Sequence, residues 1–358
     1  MRHSKIFFCL SAFVLIFQVN GCKEEEVKPN VKLLNPIQLD IPSNFPQISE
    51  NTSNPLTSEG VALGRLLFFD TRLSGNNSIS CASCHRPELA FSDAVSRTNV
   101  GFTGIPLQRN SSALINLAWA NNGLLWDGAA VSLESQATLP IADLHEMNQT
   151  LPSLEAELKQ IPDYISRFRT VFNDEVKAEL IGKALAQFQM TLISGNSKYD
   201  KFVRNENGIK FSQIEENGMR LFREKCGSCH TGDLFTDHDF HNNGIDASFD
   251  NPSFDRVFLG RYRVTLNMSD LGKFKTPTLR NIELTEPYMH DGRFITLERV
   301  LDHYSSGVQS SATLDPLLIQ PNGRSGISLS DGEKTAIIAF LKTLSDYTFT
   351  ANKNFSKP

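Results

Sequence analysis

The chain has 358 residues, 40% apolar and 21% charged, with a formal net charge of −5. That length predicts two domains of ordinary size, and the composition predicts a globular, core-forming protein. The mild acidity, without a clustered Lys/Arg excess, excludes a nucleic-acid binder.

Arg2 and Lys5 precede the almost entirely apolar stretch Ile6–Val19, and Gly21-Cys22 follow. A basic n-region, an apolar h-region and a small residue at the cleavage point make a signal peptide. The run is shorter than the ~20 residues a transmembrane helix needs. Val19-Asn20-Gly21-Cys22 resembles the lipobox of bacterial lipoproteins, in which the cysteine becomes the lipidated first residue. Asn20 stands where a small residue is usual, so an ordinary cleaved signal peptide is the alternative. Residues 1–22 are therefore read as a lipoprotein-type signal peptide and Cys22 as the lipidation site. Residues 23–55 are read as a flexible tether with too few apolar residues to pack. The expected location is the periplasm, with membrane attachment only through the lipid anchor.

Helical periodicity begins at Gly60–Phe69, with Thr57 or Ser58 as N-cap, and leads into Cys81-Ala-Ser-Cys-His85. A Gly/Asn/Ser-rich loop, Asp93–Asn110, precedes further helices at Leu154–Gln160 and Val176–Leu192. The capping-box pattern Ser212-x-x-Glu215 opens a helix at Ile214–Phe222, which leads into Cys226-Gly-Ser-Cys-His230. After the loop His238–Asp255 come helices at Leu297–Tyr304 and Glu333–Ser345, the last opened by Ser330-x-x-Glu333. No sustained alternating strand pattern occurs. The expectation is a mostly α fold of two cytochrome-c-like haem domains packed together. Residues 56–205 form an N-terminal haem c domain and residues 206–350 a C-terminal haem c domain. The motif is repeated but the sequence around it is not, which predicts different work for the two haems.

Both motifs are C-x-x-C-H, and the chemistry requires that spacing. Two thiols add across the vinyl groups of one porphyrin, and the adjacent imidazole ligates the iron. The pairs lie about 145 residues apart, each with its own histidine, which is unlike a tetrahedral zinc site. The remaining cysteines, Cys9 and Cys22, belong to the signal and the lipobox, so none is left for a structural disulfide. Cys81, Cys84, His85, Cys226, Cys229 and His230 are the cofactor-binding residues of two haem c groups, with iron held by His85 and His230.

The segments around these motifs resemble the bacterial dihaem cytochrome c peroxidase/MauG family over nearly the whole mature chain. They are Leu63-Gly-Arg-Leu-Leu-Phe-Phe-Asp70, Leu125-Trp-Asp-Gly128, Ser132-Leu-Glu-Ser-Gln136 and Pro140-Ile-Ala-Asp143 with Glu146-Met147. Phe274-Lys-Thr-Pro-Thr-Leu-Arg-Asn281 and Pro287-Tyr-Met-His-Asp-Gly292 complete them. The resemblance implies an oxidoreductase, a cytochrome c peroxidase, whose first haem is peroxidatic. It implies Glu146 as the acid/base that moves a proton between the oxygens of peroxide, where a lone Glu would otherwise read as a solvated carboxylate. It further implies Gln136 as a distal amide and Trp126 as an electron relay between the haems. Asn110, Thr285 and Pro287 are implied as inter-domain calcium ligands, oxygen donors that suit a hard cation.

Two departures matter. Many family members carry a histidine after the first motif that blocks the peroxidatic iron. Here none occurs between His85 and His145, which implies an open iron, with His145 as a neighbour of Glu146. At the second haem a methionine is usual fourteen residues after the histidine of the Pro-Tyr-x-His-Asp-Gly segment. Here that position is Tyr304, as in MauG. A phenolate lowers the potential where a thioether raises it. Met289 and Met268 are the alternative ligands, and a core aromatic is the alternative role for Tyr304. The expected function is reduction of hydrogen peroxide to water with electrons from a periplasmic donor, a cytochrome c or a cupredoxin. The alternatives are MauG-like oxidation of side chains in a partner protein and a non-catalytic dihaem electron carrier. The resemblance also implies a homodimer.

Overall fold

The first long helix starts where its cap dictates. Thr57 is extended and its side chain accepts the Gly60 N–H at 3.0 Å, opening α1 (Ser58–Phe68). The computed structural model describes Met1 and residues 34–48, 52–94, 100–250 and 256–358. The signal peptide, Cys22 and the first part of the expected tether lie outside the described residues.

Among the described residues eleven further α-helices follow: α2 (Cys81–Cys84), α3 (Leu133–Ala142), α4 (Leu151–Leu158), α5 (Pro162–Phe172), α6 (Ala178–Met190) and α7 (Lys198–Val203), then α8 (Gln213–Lys225), α9 (Tyr262–Thr265), α10 (Leu297–Asp302), α11 (Asp331–Lys342) and α12 (Tyr347–Thr350). Sheet structure among the described residues is a two-residue antiparallel ladder, β1 (Phe240–His241) against β2 (Phe274–Lys275), with isolated bridges elsewhere. The fold is thus mostly α: two cytochrome-c-like haem domains packed together.

Each haem motif is backed by a crossed helix pair. In the first half α1 crosses α6, and a β-carbon at Gly64 would run into the Ala184 carbonyl and the Phe188 side chain. In the second half α8 crosses α11, and a β-carbon at Gly218 would run into the Ala336 carbonyl and the Phe340 side chain. Only glycine lets the backbones approach this closely. Gly64-x-x-Leu-Phe68 and Gly218-x-x-Leu-Phe222 are therefore a structural repeat. The sequence reading saw repetition in the cysteine motifs alone, because two glycines inside helices carry no hydrophobic periodicity.

Two apolar cores follow from the two crossings. One gathers Leu63, Leu67, Phe68, Phe91, Ile181 and Phe188, together with Phe349 of α12. The other gathers Leu221, Phe222, Phe235, Leu301, Ile337 and Phe340. The chain end returns to the first half, where Arg65 donates to the carbonyls of Lys353 and Ser356 at 3.0 and 2.8 Å.

One expectation is corrected. The tether assigned to residues 23–55 does not stay solvated to its end, because its described part packs. Phe45 is 5% exposed and forms a third core with Trp119 and Leu234, its ring edge-on to Trp119 at 5.1 Å. Trp119 Nε1 donates to the Pro46 carbonyl at 2.7 Å, and Asn44 bonds Asp200 at 3.0 Å. Few apolar residues suffice when each meets a distant aromatic or a buried polar partner.

Candidate active site with two haem-binding motifs

The first motif forms on one helical turn. Ser80 caps α2, its N–H donating to Ser83 Oγ at 3.1 Å, and His85 follows with its N–H on the Cys81 carbonyl at 2.9 Å. His85 Nδ1 lies 3.0 Å from the Phe91 carbonyl. The proton therefore sits on Nδ1, and Nε2 is left as the iron ligand. Ala90 and Phe91 reach this arrangement at positive φ, 52° and 60°. The cost is offset by a Phe91 side chain fully buried against Phe68 and Phe188.

The second motif repeats the design. α8 runs into Cys226, and the His230 N–H bonds the Cys226 carbonyl at 3.0 Å. His230 Nδ1 lies 3.1 Å from the carbonyl of Phe235, itself at φ 54° and packed on Phe222 and Phe340. Burial lowers the pKa of both His85 and His230, against the opposing pull of those carbonyls. Both rings are thus neutral at neutral pH, the form that binds a metal. Burial, then the neighbouring cysteine, pushes the Cys81 thiol to about 12; the same two causes push Cys226 to about 12. Sites that resist a thiolate accept an uncharged thioether, so the donor set fits a covalently attached haem at each motif.

A cavity of about 530 Å³ opens on the second motif, lined by Cys226, Cys229 and His230 and, among others, Trp126, Met289 and Tyr304. Tyr304 sits on a π-helical turn, His303–Gly307, that follows α10 where a longer α-helix was expected. Such turns re-aim side chains at functional sites. Burial pushes the Tyr304 phenol up to about 12; the Asn243 amide opposes it, and the cysteine sulfurs add to it. Met289 lines the same cavity, whereas Met268 is 64% exposed and does not.

Trp126 is pinned on two sides. Its indole N–H donates to the Asn110 carbonyl at 2.8 Å and its own carbonyl accepts the Lys275 N–H at 2.9 Å. The adjacent Asp127 is buried between Arg109 at 3.0 Å and Arg263 at 3.2 Å. The Asn110 amide nitrogen lies 2.6 Å from the Pro287 carbonyl, and Asn110, Thr285 and Pro287 are among the residues that line the cavity.

Gln136 and Glu146 stand in the first half. Gln136 lies on α3, opened by Ser132, whose side chain takes the Ser135 N–H at 3.2 Å. Its Oε1 is buried with no hydrogen-bond partner. Glu146 is half-buried, and Phe102 of the 100–106 loop donates to its carbonyl at 2.7 Å. The next residue, Met147, joins the core against which Cys81 and Ala82 pack, as do Ala137 and Ile141 of α3. Residues 95–99 of the expected ligand-free loop lie outside the described residues.

Two residues near the second motif escaped the sequence reading. His241 bridges two carboxylates, 2.9 Å from Asp237 and 2.5 Å from Asp315, beside Cys229. Asn243 Nδ2 lies 3.4 Å from Met289 Sδ. His241 ends β1 and Asn243 follows it, in a stretch whose composition signals only irregular structure.

Residues 58–208 match the family described as di-haem cytochrome c peroxidase. The chain is 39% identical over 296 residues to the methylamine utilization protein MauG of Methylorubrum extorquens, covering 82% of this chain and 80% of that one. The chain belongs to the di-haem cytochrome c peroxidase family. It is also 35% identical to the cytochrome c551 peroxidase of Nitrosomonas europaea, covering 81% of each chain. Among solved structures it resembles a MauG-like protein associated with microbial copper homeostasis, at 32% identity and a TM-score of 0.80, over 90% of this chain and 99% of that one. As a di-haem peroxidase the chain is an oxidoreductase acting on peroxide, with two haem c groups. Its partners are hydrogen peroxide and a redox partner or protein substrate.

Proposed function

We propose that this di-haem peroxidase reduces hydrogen peroxide to water at the haem held by Cys81, Cys84 and His85. Two electrons and two protons convert each peroxide to two waters, the electrons coming from a periplasmic cytochrome c or cupredoxin. The observation that carries this reading is the inequality of the two halves. Ala137 and Met147, the neighbours of Gln136 and Glu146, share a core with Cys81 and Ala82 of the first motif, whereas the second motif shares its cavity with Tyr304.

When bound, haem supplies the redox chemistry at its iron. The Glu146 carboxylate takes the proton of the inner peroxide oxygen and returns it to the departing one. The Gln136 amide, with its unpartnered oxygen, orients the peroxide. Trp126, held by Asn110 and Lys275, is the aromatic bridge toward the second motif, where Tyr304 would be a protein ligand of the haem iron. Asn110, Thr285 and Pro287 are the residues that would hold calcium, through one side-chain amide and two carbonyls. The chain is exported to the periplasm, anchored through lipidated Cys22, and works as a homodimer.

Glu146→Gln in the haem-loaded protein should slow peroxide consumption by about 10²–10⁴ while leaving the ferric spectrum intact. An unchanged rate removes Glu146 from the mechanism. The similarity to MauG proteins, together with Tyr304, favours a second reading, oxidation of side chains in a partner protein. Failure of every small redox donor to sustain turnover, with a long-lived spectral change after peroxide, selects that reading.

A further inference from the structure

A run of aromatic rings leads away from His230 and ends on a phenol with a proton acceptor. Phe222 lies 6.5 Å from the His230 ring and 5.8 Å from Phe235, centroid to centroid. Phe235 in turn meets Tyr199 edge-on at 5.0 Å. The Phe235 carbonyl also accepts from His230 Nδ1, so the ring beside Tyr199 belongs to the residue that orients His230. Tyr199 is 4% exposed, and its hydroxyl donates to Asp233 Oδ1 at 2.6 Å. Asp233 is only half-buried, so the acceptor of this buried phenol stands at the edge of solvent.

A phenol gives up an electron readily only if its proton leaves too, because the oxidised ring is far more acidic than the resting one. Burial, then the Asp233 carboxylate, holds the Tyr199 pKa above the ordinary phenol value, so the proton is in place at rest. A 2.6 Å contact has the length of a charge-assisted O–H···O⁻ bond and puts the acceptor within transfer reach. Arg280 lies 5.7 Å from the Phe235 ring, but its charge is matched by Asp200 at 2.8 and 2.9 Å. The first half holds another buried pair, Tyr164 on Asp70 at 2.5 Å, in a different setting. Asp70 also binds Arg72 at 2.7 to 2.9 Å, and the Arg72 guanidinium lies 5.4 Å from the Tyr164 ring centre. A cation over the ring opposes loss of an electron, and a carboxylate already paired is a weaker base.

We propose that Tyr199 is a redox-active residue that discharges the second haem after peroxide, giving one electron toward His230 and its hydroxyl proton to Asp233. The O–H bond breaks, the electron removes one oxidising equivalent from the haem, the proton ends on Asp233 Oδ1, and a neutral phenoxyl radical is left in the core. The oxidant is hydrogen peroxide, which the enzyme's own activity supplies. The small redox donor of the proposed cycle later returns an electron, and Asp233 returns the proton. Such a site spares the haem when the donor runs short. The proposal rests on the reading that oxidising equivalents formed at the first motif reach the second.

The test uses the full-length, haem-loaded protein, given peroxide without a donor and followed by haem absorption and freeze-quenched electron paramagnetic resonance. Wild type should develop a radical signal as the peroxide-induced haem change decays, and ring-deuterated tyrosine should narrow that signal. Tyr199→Phe should lose the signal and prolong the haem change, whereas Tyr164→Phe should match wild type in both. In heavy water the wild-type signal should form more slowly. Asp233→Asn, which keeps the shape and removes the proton acceptor, should lose most of the signal, and it carries the test if Tyr199→Phe does not fold. A second haem that responds to peroxide with no tyrosine radical in wild type overturns the proposal alone, as does a radical unchanged in Tyr199→Phe or Asp233→Asn. A second haem that peroxide leaves untouched overturns the reading beneath it as well.

Discussion

Asp200 and Arg280 form an ion pair with side chains 0% and 1% exposed, joined by bonds of 2.8 and 2.9 Å. Arg280 also donates to the Asp233 carbonyl at 2.7 Å, and its guanidinium lies over Phe45 at 4.3 Å and Phe235 at 5.7 Å. The pair thus joins the packed N-terminal segment to the residue whose carbonyl orients His230. Asp200→Ala leaves the guanidinium charge buried without its carboxylate, a loss of about 3–5 kcal/mol. At about 2–3 °C per kcal/mol the melting temperature should fall by roughly 6–15 °C. Thermal unfolding of the haem-loaded protein, followed by haem absorbance and far-ultraviolet dichroism, reads this loss. Replacing both partners, Asp200→Leu with Arg280→Met, should cost much less, because no lone charge stays buried. Burial alone would raise the Asp200 pKa, but Arg280, Ser197 and Asn44 hold it below its usual value of 3.8. Its contribution is therefore complete above that value and is lost as the pH falls through the lowered folded value. Wild type and Asp200→Ala should converge in acid. An Asp200→Ala protein melting within about 1 °C of wild type at neutral pH, or a double variant as unstable as the single one, would refute this reasoning.

Gly64→Ala and Gly218→Ala should each force a helix crossing apart at about 1–3 kcal/mol or more. Gly218→Ala should deplete the second haem and Gly64→Ala the first, as read by haem content per chain. Phe45→Ala should cost about 3–5 kcal/mol, measured by urea unfolding; a value near zero would return residues 34–48 to the role of a tether. Trp126→Phe should leave the first reaction with peroxide intact but slow the response of the second haem in stopped-flow spectra. Chelation of calcium should slow turnover and lower the melting temperature together, with recovery on adding calcium back.

The covalent and capping chemistry was the most legible part of the chain. Two C-x-x-C-H motifs far apart, each with its own histidine, carry haem attachment in their spacing, and Ser212-x-x-Glu215 and Ser330-x-x-Glu333 are capping boxes in the structure. Helix ends were less legible. α3 was missed because Pro140 sits inside its last turn, and the stretch before Tyr304 turns π-helical where a plain α-helix was read. The packing of Phe45 on Trp119 depends on partners far along the chain, which local composition does not encode. Asn243 and His241 stayed hidden for the same reason, since a residue in or beside a two-residue ladder gains its meaning from what the fold brings to it. Of the candidate site, the haem residues follow from spacing. Gln136, Glu146, Trp126 and Tyr304 came only through family resemblance.

The central claim, an open reaction centre at His85 paired with a tyrosine-ligated partner at His230, is tested most directly by electron paramagnetic resonance of the ferric protein before and after peroxide. It predicts one high-spin, five-coordinate signal and one low-spin, tyrosinate-type signal at rest, both changed by a single equivalent of peroxide. Two six-coordinate low-spin signals that peroxide leaves untouched would contradict it.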